Sequence, residues 1–273
     1  MHPRACVSAI STFTLSLADD LAFWDAHCIT NVGVSVAKLE AFGWDAGTEL
    51  VAAAAAKGLR VVDLIGLGPF RLADPSRWDA QRERLLHSIE AAVAVGAGCI
   101  VFTTGPFAPL SWEEAADALE QALTPVLREA RTRGVDFAIE HTNSLRVDVG
   151  FVHTLRDAID LARRLDTGVC MELNACWAER GLATTIRDGI DRIRLVQVSD
   201  FKVGTVASSQ RLVPGDGDIP IRRILGELVA AGYGGVFELE LIGDAIVAEG
   251  YDVAIPRAIG ALEDLLADLA GPG

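Results

Sequence analysis

No stretch of this chain is apolar for long enough to cross a bilayer: the longest unbroken run, Leu50 to Ala56, falls far short of the roughly 20 residues that a spanning helix needs. The N-terminus passes Arg4 and enters a strand-like segment at once, with neither the long apolar region nor the small-residue cleavage site of a secretory signal. The expectation is a cytoplasmic protein with no membrane partner. Cysteine is scarce and unpatterned: Cys6, Cys28, Cys99, Cys170 and Cys176 are odd in number and include no C-x-x-C, which argues against a disulfide framework and a thiolate zinc site. They read as mostly buried small hydrophobes. Histidine is equally sparse, with five in the chain, too few for a multi-zinc nuclease site. Basic charge is in deficit, 24 residues against 38 acidic ones, and a net charge of −14 repels a phosphate backbone, so nucleic acid is not an expected partner. Only Lys38, Lys57 and Lys202 are lysines, an arginine bias that reflects genome composition. No G-x-G-x-x-G turn follows the first strand, which disfavours a dinucleotide-binding sheet.

What is present is a regular alternation. Over 273 residues, 51% hydrophobic and 23% charged, strand-like runs alternate with amphipathic helical stretches, the pattern of a parallel sheet with helical crossovers. Eight strands are predicted: Cys6 to Ile10, Asn31 to Val36, Arg60 to Ile65, Cys99 to Thr103, Asp136 to Glu140, Gly168 to Leu173, Arg194 to Ser199 and Val236 to Leu241. Helices fill the intervals, for example Asp79 to Val95 with apolar positions at Leu85, Leu86, Ile89 and Val93. Lys57-Gly58 and Arg133-Gly134 end helices before strands, and Ser111 with Glu114 forms a capping box. No linker or low-complexity tract interrupts the series. The fold class expected is therefore α/β, a (β/α)8 TIM barrel forming a single domain over residues 1–273, whose active site lies at the C-terminal ends of the strands.

Polar residues gather at those ends. Strand five closes on Glu140-His141 and strand six on Glu172; strand seven places Gln197 inside an apolar run with Asp200 just beyond; in strand eight, alternation turns Glu238 and Glu240 to the same face. Carboxylates on the inner face of a barrel are costly without partners or a cation, which makes a metal the physical expectation. An oxygen-only set suits one hard divalent ion, Mn2+ or Mg2+. Phe13, Trp44, Phe70, Phe107 and Trp177, near strand ends and the following loops, are candidates for an apolar pocket wall, and Arg222-Arg223 for a phosphate contact.

Together these residues resemble the xylose-isomerase-like TIM-barrel superfamily of sugar isomerases, epimerases and dehydratases. The resemblance runs from Ser8-Ala9-Ile10-Ser11-Thr12 to the eighth strand. Its most specific parts are Gln197-Val198-Ser199-Asp200, similar to an H/Q-x-x-D/E strand seven; Arg211 to Gly217, similar to an R-x-x-x-G-x-G loop; and Ala231-Gly232-Tyr233-Gly234-Gly235 before the strand that ends in Glu240. The resemblance implies one metal held by Glu140, Glu172, Gln197 and Glu240, and Arg211 on substrate oxygens. Gln197 is more like the hydroxypyruvate isomerase and dehydroshikimate dehydratase branches than the epimerases that use His. Where the family reads D-x-x-H, this chain has Glu172-Leu173-Asn174-Ala175, an acid one methylene longer and no histidine.

The activity so implied is proton transfer beside a carbonyl of a keto sugar or related polyol through a metal-stabilised enediolate, with Glu140 and Glu240 as the catalytic base and acid. Arg211, His141, Asn174, Trp177, Glu238 and Asp200 are the candidate substrate contacts. The alternatives are a metal-dependent dehydratase (lyase) acting on a cyclic keto-polyol, and a non-catalytic accessory barrel. A homodimer or homotetramer is implied by the resemblance alone.

Overall fold

Period-two alternation along each strand separates two cores. One face of the sheet packs Val32, Val34, Phe102, Phe137, Ile139, Val196 and Phe237 against the surrounding helices. The other encloses Cys6, Ile65, Val101, Ala138, Cys170, Leu195 and Val236. A sheet buried on both faces must be covered outside and filled inside, which a closed barrel achieves. The computed structural model describes residues 1–68, 70–207 and 209–270, so the last three residues of the expected domain lie outside the described ones.

The eight parallel strands, β1(Ala5–Ser8), β2(Asn31–Ser35), β3(Arg60–Leu67), β4(Cys99–Thr103), β5(Asp136–Glu140), β6(Gly168–Glu172), β7(Ile193–Val198) and β8(Val236–Leu239), close in sequence order, with β8 pairing back to β1. The helices are α1(Leu17–Ala26), α2(Val36–Phe42), α3(Trp44–Ala55), α4(Trp78–Val95), α5(Trp112–Thr132), α6(Leu155–Leu165), α7(Leu173–Cys176), α8(Leu182–Gly189), α9(Ile221–Ala230), α10(Asp244–Glu249) and α11(Tyr251–Ala270). Among the described residues no helix is long and apolar enough to cross a membrane.

Five strands, β1, β2, β6, β7 and β8, stop one or two residues earlier than the pattern predicts, and after β1, β2 and β6 a side chain takes over a backbone donor. After β1 the Ser8 hydroxyl accepts the Ile10 N–H (3.3 Å), and Ala9 to Thr12 wind into a 3-10 turn. After β6 the Glu172 carboxylate accepts the Asn174 N–H (2.8 Å) and opens α7. β8 ends at Leu239, although the Glu240 N–H still reaches the Val198 carbonyl (3.3 Å). The Ser111–Glu114 capping box opens α5 as expected. On α4 the buried stripe is Leu85, Ser88, Ile89 and Ala92, an i, i+3, i+4, i+7 series; Leu86 and Val93 lie about 100° around the helix and are exposed. Cys6, Cys170 and Cys176 are buried, Cys99 is partly so, and Cys28 is exposed.

Candidate functional site

Each of β5 to β8 carries a small or apolar residue inside the barrel and, two residues further along the strand, a polar one: Ala138 then Glu140, Cys170 then Glu172, Leu195 then Gln197, Val236 then Glu238. Period two makes the later residue point the same way as the earlier. Glu172 pairs with Gln197 and Gln197 with Glu238, so these three are register neighbours across β6, β7 and β8, and Glu240 lies two residues beyond Glu238. Oxygens of Glu140, Glu172 and Glu240 all lie within 4.8 Å of one another. Ligand oxygens at ~2.0–2.4 Å from a common ion are at most about 4.0–4.8 Å apart, so the spacing fits a single divalent cation.

Arg211 binds this triad from the β7–α9 connection. Its Nη1 donates to Glu172 Oε2 (2.6 Å) and to the Glu240 carboxylate. Its backbone N–H donates to the Ile242 carbonyl (2.8 Å), and its neighbour Leu212 bridges Asp200 in antiparallel fashion. Asp200 holds that connection in shape: its carboxylate accepts the N–H groups of Phe201 (2.8 Å), Gly215 (2.9 Å) and Ile219 (3.0 Å). A Cβ on Gly217 would fall 2.3 Å from Asp200 Oδ1, which is why the loop needs glycine there.

Glu140, Glu172, Asn174 and Arg211 line one cavity with Glu240, Ile10, Thr142, Asn143, Arg146, Val149, Ala175, Ser209 and Ile242. Other residues expected to touch substrate have different partners. His141 is fully buried, and its Nε2 accepts the Glu172 N–H (3.2 Å), so it supports the backbone that carries Glu172. Burial, with a smaller push from His153, lowers His141 to about 3, and the ring is neutral. Asp200 is buried among the loop amides it accepts, Trp177 packs against the helix-side core, and Glu238 lies wholly buried below the cavity. The expected aromatic wall is not built: Phe70 packs edge-on to Phe102, Trp44 stacks near His87, Phe13 is exposed outside, and the apolar lining is Ile10, Val149, Ala175 and Ile242. Arg222 and Arg223 face Asp268 and Glu227 away from the site.

One acid escaped the reading of the sequence. Asp63, in the middle of β3, is wholly buried beside Glu238 and Cys6. A carboxylate inside the run Val61-Val62-Asp63-Leu64-Ile65 was the available signal, since an acid within a buried strand demands a partner.

Burial raises Glu140, Glu172, Asp63 and Glu238. Glu172 is pushed up to about 7 by desolvation, with Arg211 pulling it down and Glu240 pushing it up. Glu140 rises well above the ordinary range through desolvation and then through Glu240 and Glu172. Asp63 reaches about 7 and Glu238 rises well above the ordinary carboxylate range, again chiefly by desolvation. Arg211 loses from burial but gains more from Glu172, Glu240 and Glu140, so it stays cationic. The native protein therefore holds protons that unfolded carboxylates, near about 4, have released. Unfolding releases them, and raising the pH favours the unfolded chain. In chelator, the thermal midpoint is expected to be higher at about pH 6.5 than at about pH 8. Below roughly pH 6.5 the trend reverses in part, because His141 is neutral when folded and charges when unfolded. A midpoint that rises between pH 6.5 and 8 contradicts these shifts.

Against solved structures the likeness extends over nearly the full chain. Protein SMc04130 from Sinorhizobium meliloti 1021 superposes with a TM-score of 0.84 at 23% identity, covering 96% of this chain and 98% of that one. The IOLI protein, solved with a binding zinc atom, gives 0.83 at 17% identity, covering 97% and 99%. D-psicose 3-epimerase from Clostridium cellulolyticum H10, solved with D-tagatose, gives 0.78 at 15% identity, covering 97% and 99%. At these identities the structures share the fold. Residues 21–264 match the profile of one family across the strands that carry the acidic triad and Arg211. This chain belongs to the xylose isomerase-like TIM barrel family.

Proposed function

We propose that this chain is a divalent-cation-dependent isomerase or epimerase of a small keto sugar or related polyol. The observation that carries the reading is the convergence of Glu140, Glu172 and Glu240 within one ion's reach on a strand-end cavity that also receives Arg211. Effective desolvation costs of several kcal/mol per buried ion leave three acids under-compensated by one guanidinium, and a cation removes the deficit. A further oxygen is available at Gln197 Oε1, which is buried without a hydrogen-bond partner. Glu140, Glu172, Gln197 and Glu240 are the proposed ligands. An oxygen-only set favours Mn2+ or Mg2+, and the zinc in the IOLI structure belongs to that protein.

A bound ion of this kind supplies electrophilic polarisation of a substrate carbonyl and its neighbouring hydroxyl. The chain's own residues do the rest. Glu140 and Glu240 both line the cavity, and one takes the proton beside the carbonyl while the other returns a proton, which inverts a centre or moves the carbonyl by one carbon. Arg211 stays charged and holds Glu172 and Glu240 in place. Asn174 Nδ2, buried without a partner on the cavity wall, is a donor for a substrate oxygen. The cavity, about 150 Å3, is smaller than the roughly 300–1,000 Å3 of drug-sized sites, which suits a small polyol.

The test is a screen of keto sugars and cyclic keto-polyols with chelator-treated protein, before and after reloading with Mn2+ or Mg2+. Isomer or epimer formation is expected only after reloading. Loss of water, visible as a new enone or aromatic absorbance, makes the protein a dehydratase instead. Turnover undiminished in chelator overturns the proposal.

A further inference from the structure

Below the oxygen ring lies a second acidic layer that the proposed chemistry does not use. Glu238 on β8, Asp63 on β3 and Cys6 on β1 present ligand atoms within 4.8 Å of one another, and all three residues are fully buried. The strand between β1 and β3 makes room for them. A Cβ on Gly33 of β2 would fall 2.1 Å from Glu238 Oε1 and 2.9 Å from Asp63 Oδ1, so any other residue there displaces the pair. Gly33 is in the ordinary extended region, and its use is one of space.

Beside Glu238, on the neighbouring strand, Gln197 is also fully buried. Its Nε2 donates to Glu238 Oε2 (3.5 Å), while its Oε1 has no partner. A glutamine ligand has a difficulty that a carboxylate lacks: its two ends have nearly the same shape, but only the oxygen binds a cation. Something must take the NH2 end. Glu238 is the acceptor that does so, and it is the register partner of Gln197 across the β7–β8 pair. We infer that Glu238, seated by Gly33 and backed by Asp63, is a positioning residue that fixes the Gln197 amide with its oxygen free to ligate. This rests on the reading of Gln197 as a cation ligand.

The experiment is Mn2+ titration of the full chain after chelator treatment, with circular dichroism and thermal midpoints recorded on each variant. Wild type is expected to bind one Mn2+. Outer partners of metal ligands typically contribute 10–100-fold in affinity, so Glu238→Met should bind about 10–100-fold more weakly while remaining folded. Glu238→Gln still offers an acceptor oxygen and should stay within about threefold of wild type. Adding Gln197→Glu to Glu238→Met should restore most of the affinity, because a carboxylate presents oxygen at either end. A merely structural role lowers the midpoint but gives no such rescue.

Wild-type affinity in folded Glu238→Met, or no rescue by Gln197→Glu, overturns the inference and leaves the cation proposal standing. No Mn2+ bound by wild type overturns both. Should Glu238→Met not fold, a structure of Mn2+-loaded wild type decides: Gln197 Nε2 within hydrogen-bonding distance of Glu238 supports the assignment, and separation beyond it overturns it.

Discussion

Glu240→Gln is expected to lower turnover of the substrate by about 10^2- to 10^4-fold, the range that a general acid or base supplies. The amide keeps the volume and one oxygen, so the barrel mouth should keep its shape. What it loses is the capacity to exchange a proton, together with one of three carboxyl groups gathered within 4.8 Å. Because Glu240 is only 5% exposed, water does not replace it as a proton acceptor. The replacement also releases Arg211 from one of its two carboxylates, leaving Glu172 Oε2 at 2.6 Å as the remaining anchor. Cation affinity should fall as well, so the measurement is kcat at saturating Mn2+, compared with Glu140→Gln under the same conditions. Both variants should lose most of kcat. Turnover within tenfold of wild type in both would remove them from proton transfer.

Arg211→Met is expected to destabilise the cation-free protein by about 3–5 kcal/mol, because removing one partner of a buried pair strands the other charge. Here two acids are stranded, Glu172 at 2% and Glu240 at 5% exposure. For a domain of this size class about 2–4 °C accompany each kcal/mol, so the midpoint should drop by roughly 6–20 °C. The penalty depends on charge and can be relieved in two ways. Lowering the pH from about 8 to about 6.5 protonates Glu172, whose carboxyl sits at about 7 even beside the guanidinium. Binding of a cation neutralises the same acids. The deficit of Arg211→Met in chelator should therefore shrink at the lower pH and shrink again with Mn2+. A deficit indifferent to both would assign Arg211 a packing role.

The barrel itself was legible because its strands advertise themselves locally. Phe137-Ala138-Ile139-Glu140 and Val169-Cys170-Met171-Glu172 are apolar runs that turn polar at one end, and the turn falls at the same end in successive units. That regularity located Glu140, Glu172 and Glu240 on one cavity, with Gln197 buried beside Glu172 on the next strand. The layer beneath was harder to see. Asp63 and Glu238 meet only because β8 closes on β1, and because Gly33, two strands from Glu238, omits a side chain. Neither condition is visible within a window of one strand. Alternation correctly turned Glu238 inward, but it does not report depth, and depth separates a residue on the cavity from one buried below it. Asp200 failed for a related reason. An acid just past a strand end suggests a ligand or substrate contact, yet its acceptors are satisfied by Phe201, Gly215 and Ile219 amides from its own loop. His141 follows a strand-end acid and was grouped with it, whereas alternation sends it outward, where it accepts the N–H of Glu172.

The proposed ion at the strand ends has Glu140, Glu172, Gln197 and Glu240 as its ligands. Anomalous diffraction from crystals loaded with Mn2+ tests that assignment most directly. A single strong peak is expected within about 2.0–2.4 Å of oxygens from those four residues. A peak among Cys6, Asp63 and Glu238 instead, or no peak at the mouth while Arg211 remains on Glu172 and Glu240, would contradict it.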